Sequence, residues 1–149
     1  MGNVDYNYNN GSIKIKISGR RIQQNLVRAQ KYLDQAVIED TNKYVPYRSG
    51  VLRLSAKNNT VIGSGEVKWC TPYAHYQHEG TVYVDSVTGV AAFYIEGVGF
   101  RSRKDVPKVP SNRALRYYTP GTGAHFFEKA KRIHGKAWVK EVKKIAGGR

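Results

Sequence analysis

Side chains capable of metal binding or acid–base chemistry are few in this sequence, and their spacing does not form a recognisable catalytic centre. Cys70, His75, His78 and Glu79 lie close together. A zinc site needs three or four suitably spaced ligands, and no second ligand pair accompanies this group. His75 and His78 are three positions apart and share one face of a helix. We therefore predict no metal site and expect both histidines at a surface or an interface.

Nucleophilic and carboxylate-based catalysis are not indicated either. The Gly-x-Ser-x-Gly turn of α/β-hydrolases is absent, and Gly63-Ser64-Gly65 is not followed by the Lys-Ser/Thr pair of a phosphate-binding loop. The 11 Asp and Glu residues are scattered along the chain. A small nuclease or toxin, the catalytic alternative, would need these dispersed groups to converge. We predict that the protein is not an enzyme and has no cofactor.

The tyrosines give a stronger indication of function. Eleven are present, and several lie close together in pairs, such as Tyr73 with Tyr76 and Tyr117 with Tyr118. Tyrosine is enriched at protein interfaces because it combines a large apolar ring with a polar hydroxyl. Stacking on nucleic-acid bases is the alternative, and core packing accounts for some of these rings. The residues predicted to contact another subunit or a partner are Tyr47, Arg48, Arg53, Tyr73, His75, Tyr76, His78, Tyr117 and Tyr118.

Positive charge is concentrated in the last third of the chain. The formal net charge is +14. Residues 1–100 contain 11 Lys and Arg and 8 Asp and Glu, a net of +3, whereas residues 101–149 contain 14 and 3, a net of +11. Such a field favours nucleic acid, an acidic protein surface or an anionic membrane, unless it only solvates a surface helix. The residues predicted to contact DNA or an acidic partner are Arg101, Arg103, Lys104, Lys108, Arg113 and Arg116.

Chain length and segment composition predict one domain over residues 1–149. No apolar run reaches the roughly 20 residues that span a bilayer, the N-terminus has no secretory signal, and a single cysteine excludes an intrachain disulfide. The polar residues 1–11 are expected to form a mobile N-terminal arm. The proline-containing segment of about 97–123 is expected to be a long irregular loop that becomes ordered against a neighbouring subunit.

Hydrophobic periodicity predicts the helices that must position these residues. Apolar residues recur at steps of three and four over 20–43 and over 124–145, which indicates two amphipathic helices. Thr122 is a candidate N-cap for the second helix, and Gly147 is expected to end it. One or two further helical turns are predicted over 73–79, closed by Gly80.

Shorter patterns predict the strands. Isoleucines at 13, 15 and 17 alternate with lysines, as in a half-buried strand. Residues 51–55 are expected to begin as a turn and continue as a strand, residues 61–69 to form a hairpin, and residues 81–84 to pair with 90–95. These elements together predict an α+β fold, a mostly antiparallel sheet with one long N-terminal helix and one C-terminal helix packed on one face.

Three ordered blocks of the sequence resemble a known family. Residues 44–55, Tyr-Val-Pro-Tyr-Arg-Ser-Gly-Val-Leu-Arg-Leu-Ser, are similar to the "proline, then Thr/Ser-Gly-x-Leu-Arg-x-Ser" signature of a family of phage minor capsid proteins. Residues 71–80 resemble its "Pro-Tyr-Ala-x-Tyr-Gln-x-x-Gly" block, and residues 121–139 resemble its C-terminal helix. The resemblance covers about residues 31–146, with a variable centre from 82 to 118. Tyr47 and Arg48 depart from it, because the family often has Asp or Lys before the Ser/Thr-Gly pair.

The resemblance implies a structural protein of the virion rather than an enzyme. Relatives are described as minor capsid, head–tail joining or tail-completion proteins of tailed double-stranded DNA phages. It implies a ring-forming subunit of sixfold or twelvefold symmetry at the head–tail neck. Its partners would be further copies of itself, other connector, portal or tail proteins, and passing double-stranded DNA, with no membrane. Such a protein is made in the cytoplasm of the host bacterium. The alternative is a free basic nucleic-acid-binding protein.

Overall fold

The computed structural model describes residues 5–9, 11 and 14–147 and has an α+β architecture. In chain order its elements are β1 (Asp5–Asn9), β2 (Lys14–Ser18), α1 (Gly19–Asn42), α2 (Val51–Asn59), α3 (Ala74–Glu79), β3 (Thr81–Asp85), β4 (Phe93–Ile95), β5 (Gly99–Arg101), β6 (Lys108–Ala114) and α4 (Phe126–Ala146). The strands form three antiparallel two-stranded sheets, β1–β2, β3–β6 and β4–β5. The predicted fold class is confirmed, with the strands divided among small sheets.

The two long helices form the main packing unit, as their periodicity predicts. α1 and α4 pack against each other, and each has buried residues at helical spacing, with Ala130 and Trp138 on α4. The indole N–H of Trp138 donates to Asp40 Oδ2 at 2.8 Å. Partial burial alone would raise the pKa of Asp40, but hydrogen bonds from Lys43 and Trp138 outweigh this effect. The net result is a pKa below the ordinary value. The helix pair is therefore fixed by apolar contact and by a charge-assisted hydrogen bond.

A second cluster lies where α2 and the start of α4 meet. Val45, Leu52 and Phe126 are buried together, and Trp69 packs edge-on against Phe126 with ring centroids 5.5 Å apart. The strand predicted over residues 51–55 is wrong, since these residues begin α2. Gly50 precedes this helix in the left-handed conformation, with φ of 80°. Leu52, Ser55 and Ala56, at i, i+3 and i+4, are buried on one face of this helix, whereas a strand would place Ser55 on the opposite face from Leu52 and Ala56.

The hairpin predicted over residues 61–69 is also absent, because its amides have another partner. Residues 60–73 contain no helix or strand. Asp34 of α1 accepts hydrogen bonds from the backbone N–H groups of Gly63 at 2.7 Å and Gly65 at 3.1 Å. A buried carboxylate thus satisfies two donors of this loop, and the loop follows the surface of α1 instead of forming a ladder.

Strand pairing in the second half of the chain differs from the sequence prediction. β3 pairs with β6, while residues 93–95 pair locally with β5. The segment 97–123, expected to be irregular, therefore contains two strands. Its Pro110 lies opposite Tyr83, next to a register shift. Proline has no N–H to donate to a strand ladder, so it occurs in edge strands and at such irregularities. Residues 115–125 follow without helix or strand.

The boundaries of the remaining elements agree closely with expectation. The helices predicted over 20–43 and 124–145 appear as α1 and α4, and the predicted helical turns before Gly80 appear as α3. Gly147 ends α4, but its N-cap is His125 and not Thr122. Residues 5–9 of the expected arm form β1, and the predicted isoleucine strand is β2. Residues 1–4, 10 and 12–13 lie outside the described residues.

Candidate protein-interaction cleft

A cleft of about 540 Å³ brings together three segments that are distant in the sequence. One is the connector of residues 46–50 with the start of α2, the second surrounds the start of α3, and the third follows β6. We call it the tyrosine cleft. Its lining residues are Pro46, Tyr47, Arg48, Ser49, Gly50, Val51, Leu52, Tyr73, Gln77, Arg116, Tyr117, Tyr118, Thr119 and Thr122.

Backbone carbonyls fix the walls of the tyrosine cleft. Arg53 donates from Nε and Nη2 to the Val45 carbonyl at 3.0 and 2.8 Å, and its guanidinium lies 4.9 Å from the centre of the Tyr47 ring. The Tyr117 hydroxyl donates to the Gln77 carbonyl at 2.8 Å. The Thr119 hydroxyl donates to the Tyr47 carbonyl at 3.0 Å. Each wall is thus tied to a neighbouring segment, which preorganises the cleft for a partner.

Its aromatic side chains combine fixed and accessible surface. Tyr117 is half-buried, and burial raises the pKa of its hydroxyl. Tyr118 is 92% exposed, and Tyr47 is 53% exposed. Exposed tyrosines beside a preformed concavity are typical of protein-recognition surfaces, where the ring supplies apolar area and the hydroxyl supplies a hydrogen bond.

The structure brings together most, but not all, of the predicted interface residues. Five of them line the tyrosine cleft: Tyr47, Arg48, Tyr73, Tyr117 and Tyr118. Arg53 does not line the cleft but contacts its wall through Val45 and Tyr47. His75 and Tyr76 instead form an aromatic cluster with Tyr83, in which the two tyrosine rings are 4.7 Å apart. Gln77 and Thr119 are cleft residues that sequence reasoning missed, because nothing in their local pattern distinguishes them from other polar surface residues.

A larger cavity of about 690 Å³ lies between α1, the loop around Trp69 and the start of α4. His75, His78 and Glu128 are among its lining residues. The His78 Nε2 atom lies 3.0 Å from Glu128 Oε2. Partial burial alone would raise the pKa of Glu128, but a backbone hydrogen bond and the nearby His78 ring outweigh this effect. The net result is a pKa below the ordinary value. The predicted interface residue His78 therefore belongs to a separate polar site at the junction of α3 and α4.

The predicted DNA-contacting residues do not form one open basic patch. Arg103 makes a two-point contact with the buried carboxylate of Asp85, with N–O distances of 2.9 and 2.8 Å. Lys108 Nζ lies 3.7 Å from the same carboxylate, and Arg116 lines the tyrosine cleft. Lys104 and Arg113 are exposed. Two of the six cations, Arg103 and Lys108, thus face an internal carboxylate, which weakens the predicted DNA-binding set.

Asp85 organises this part of the molecule. Beyond Arg103, its carboxylate accepts hydrogen bonds from the backbone N–H groups of Val87 at 2.9 Å and Thr88 at 3.0 Å. The Arg103 hydrogen bond, with these backbone donors, holds the pKa of Asp85 well below its ordinary value despite the opposing effect of burial. The sequence Asp-Ser-Val-Thr-Gly over 85–89 carries the signal for such an Asp-initiated turn.

More exposed cations lie on α4 than on any other helix or strand whose burial the structure describes. Its exposed cationic residues are Lys131, Arg132, Lys136, Lys140, Lys143 and Lys144. None of the helices in the described part of the chain has the length and hydropathy of a membrane-spanning segment. These six cations make the outer surface of α4 strongly basic, and such a surface suits an acidic protein or nucleic acid.

Comparison with known proteins identifies one related family. The family model described as minor capsid protein matches residues 8–146. That range covers all four helices, the tyrosine cleft and the basic surface of α4. No curated protein matches the chain, and no solved structure matches it.

Proposed function

The chain belongs to the minor capsid protein family, a structural and non-enzymatic family of phage virions, and from that premise we propose that it is a ring-forming subunit of the head–tail neck. In this role, identical copies contact one another around the DNA channel in sixfold or twelvefold symmetry. They join the portal side of the capsid to the tail. Contacts between unlike surfaces of identical subunits close into a ring when the rotation between neighbours fits.

The observation that carries this proposal is the tyrosine cleft. It is concave, it is fixed by hydrogen bonds to backbone carbonyls, and Tyr118 projects from it with 92% of its surface exposed. A ring subunit needs a surface of this kind to receive a different surface of its neighbour. Aromatic anchors in preformed pockets commonly supply most of the binding energy at such contacts.

The first half of α1 supplies a second surface suited to a neighbour. Ile22 and Leu26 lie one helical turn apart, and each is 55% exposed. The periodicity of the sequence includes both in the apolar stripe of this helix, yet both are exposed, whereas Ala29 of the same stripe is buried. Burying these side chains against another subunit would stabilise an assembly by roughly 25 cal/mol for each Å² of apolar surface removed from water.

The basic surface of α4 suits a position beside DNA or an acidic ring. Six of its exposed residues are Lys or Arg, so a ring of such subunits would present a strongly positive band. Double-stranded DNA in a channel carries one negative charge for about every 1.7 Å of its axis. The basic band would therefore face either the passing DNA or acidic residues of a neighbouring connector protein.

The location is tested by immunogold labelling of purified phage particles with an antibody against this chain. We expect one label cluster per particle at the junction of head and tail. Label spread over the whole head surface, or found along the tail, would contradict the neck position while leaving the family assignment intact. Antibody raised against a tail-tube protein of the same particle provides the positional control.

The tyrosine cleft is tested by substituting Tyr118 with serine in the phage. Because Tyr118 is almost fully exposed, this variant should fold normally, and we expect fewer complete particles and more tailless heads. Tyr94→Ser is the matched control, since Tyr94 is 66% exposed on β4 and lies outside the cleft. Equal particle yields for Tyr118→Ser and wild type, or an equal defect for Tyr94→Ser, would exclude the cleft as the assembly contact.

A free nucleic-acid-binding protein remains the alternative, and the basic surface of α4 is the observation that favours it. This function requires tight binding of the isolated protein to bare duplex DNA. Each phosphate neutralised would contribute a slope of about −0.9 to the logarithmic salt dependence of binding. Strong retention on DNA together with absence of the chain from purified virions would favour this alternative over the neck subunit.

A further inference from the structure

Three metal-ligating side chains converge where the end of α3 meets the start of α4. They are His78, His125 and Glu128, and their ligand atoms all lie within 4.8 Å of one another. His78 Nε2 and Glu128 Oε2 are 3.0 Å apart. Glu128 is 50 positions from His78 in the sequence, so no local spacing could have indicated the group. The expectation of no metal site rested on local spacing alone.

The backbone fixes the relative positions of these side chains. The His125 N–H donates to the His78 carbonyl at 2.8 Å, and the His125 carbonyl accepts the hydrogen bond from Lys129 N–H that begins α4. His125 has φ of 49°, and it is the non-glycine residue with positive φ in the described part of the chain. Such strained positions are maintained where the surrounding structure requires a particular side-chain placement.

Packing also orients the His78 ring. It lies edge-on to Phe126 with ring centroids 4.8 Å apart, and edge-on to His125 at 5.3 Å. Its other nitrogen, Nδ1, lies 3.9 Å from Glu79 Oε1. A histidine that binds a metal commonly has a carboxylate near its second nitrogen, which orients the ring and raises its basicity. Glu79 is placed for that supporting role.

From this geometry we propose that His78, His125 and Glu128 bind one Zn²⁺ ion, with the fourth coordination position open to solvent. Two imidazoles and one carboxylate form a donor set that zinc accepts in open sites. With Zn–N distances of 2.0–2.1 Å, tetrahedral ligand atoms lie about 3.3 Å apart. The His78–Glu128 pair already has nearly this separation, and His125 is exposed, so its ring is free to rotate toward the ion.

The charges at the site are compatible with a cation. Glu128 lies in the first turn of α4, where its negative charge offsets the partial positive charge of the helix N-terminus. Glu79 adds a second carboxylate nearby. A bound ion would connect α3 to α4, which are otherwise joined here by one backbone hydrogen bond, by the His78–Glu128 side-chain contact and by the packing of His78 on Phe126. We therefore expect the ion to stabilise the junction of the two helices.

The test is zinc chloride titration of tag-free, chelator-treated full-length protein by calorimetry, with thermal unfolding as a second readout. We expect one Zn²⁺ per chain and a higher melting temperature with zinc, since a ligand that binds only the folded state stabilises it. His125→Asn and Glu128→Gln should each weaken binding by at least about 10–100-fold, the loss seen when only a supporting residue is removed. Asparagine suits position 125 because it tolerates positive φ.

His75→Ala is the matched control, because His75 is an exposed histidine on the same helix outside the group. It should bind zinc like wild type and show the same thermal shift. Absence of saturable binding would overturn the proposal. Wild-type affinity in both His125→Asn and Glu128→Gln would also overturn it, as would an equal loss in His75→Ala, which would place the ion elsewhere.

Discussion

The helical part of the molecule, formed by α1, α2 and α4, is stabilised by other interactions than the strand region, residues 81–114. In the helical part, α1, α2 and α4 each bury apolar residues, among them Ile38, Leu52 and Trp138. In the strand region, only Val84 and Asp85 are buried. There the Asp85 carboxylate contacts the side chains of Arg103 and Lys108 and the backbone N–H groups of two residues of the following turn.

The two regions are therefore expected to tolerate substitutions differently. The helical part depends on close packing, so its buried residues cannot be truncated without loss of stability. The strand region depends on one ionic centre and on local hairpin geometry, so most of its exposed side chains are replaceable.

The largest effect is expected from truncating the centre of the helical part. Phe126 is 3% exposed and packs with Val45, Leu52 and Trp69. Phe126→Ala should lower the free energy of unfolding by about 3–5 kcal/mol, because it removes apolar burial and leaves a cavity. Urea denaturation followed by circular dichroism measures this loss.

The matched control for that substitution is a phenylalanine of the strand region. Phe100 is 72% exposed, and its ring lies edge-on to Tyr94 with ring centroids 5.4 Å apart. Phe100→Ala should change the free energy of unfolding by only about 0.5 kcal/mol or less. Similar losses for the two alanine variants would mean that both regions depend on apolar packing.

The second effect concerns Gly80, at the junction of the two regions. Gly80 has φ of 73°, and a Cβ atom there would lie 2.5 Å from the Ala124 Cβ. Gly80→Ala should therefore cost about 1–2 kcal/mol for the left-handed backbone and a further ~1–3 kcal/mol for overpacking. The measurement is again the free energy of unfolding in urea.

Gly97 separates the two contributions to that loss. It has nearly the same backbone angle, with φ of 74°, but a Cβ atom at this position would have no neighbouring atom within 4 Å. Gly97→Ala should therefore show only the backbone cost of about 1–2 kcal/mol. If the two alanine variants lose equal stability, the close approach of Gly80 to Ala124 has no energetic importance.

Periodic segments of the sequence are sufficient to predict the long helices. The steps of three and four that define α1 and α4 extend over more than 20 residues, and this length makes the pattern specific. The run from Val51 to Ser55 is too short to distinguish helix from strand. Its outcome depends on Gly50 and on burial against Phe126, which are contacts outside the segment.

Long-range contacts explain what could not be predicted. The pairing of β3 with β6 leaves β4 and β5 as a local hairpin, and no feature of the strand at 81–84 distinguishes the two possible partners. The local tyrosine pairs predicted interface residues, five of which meet in one cleft. The pairing of Arg103 with Asp85, 18 positions apart, was not apparent, because a basic cluster in a sequence does not indicate which cations have internal partners.

The smallest effect on overall stability, and the most local one, is expected at Asp85. Because its pKa is lowered in the folded protein, its contribution is present above the ordinary value of 3.8 and is lost as the pH falls below it. Asp85→Asn should speed amide hydrogen exchange in β3 and β6 at neutral pH while leaving α1 and α4 protected. The difference in exchange rate between variant and wild type should shrink below about pH 4.

Glu66→Gln is the control, because Glu66 forms an exposed pair with Lys68 at 2.8 Å and exposed pairs contribute little. Faster exchange in α1 and α4 of Asp85→Asn would show that the two regions unfold as one unit.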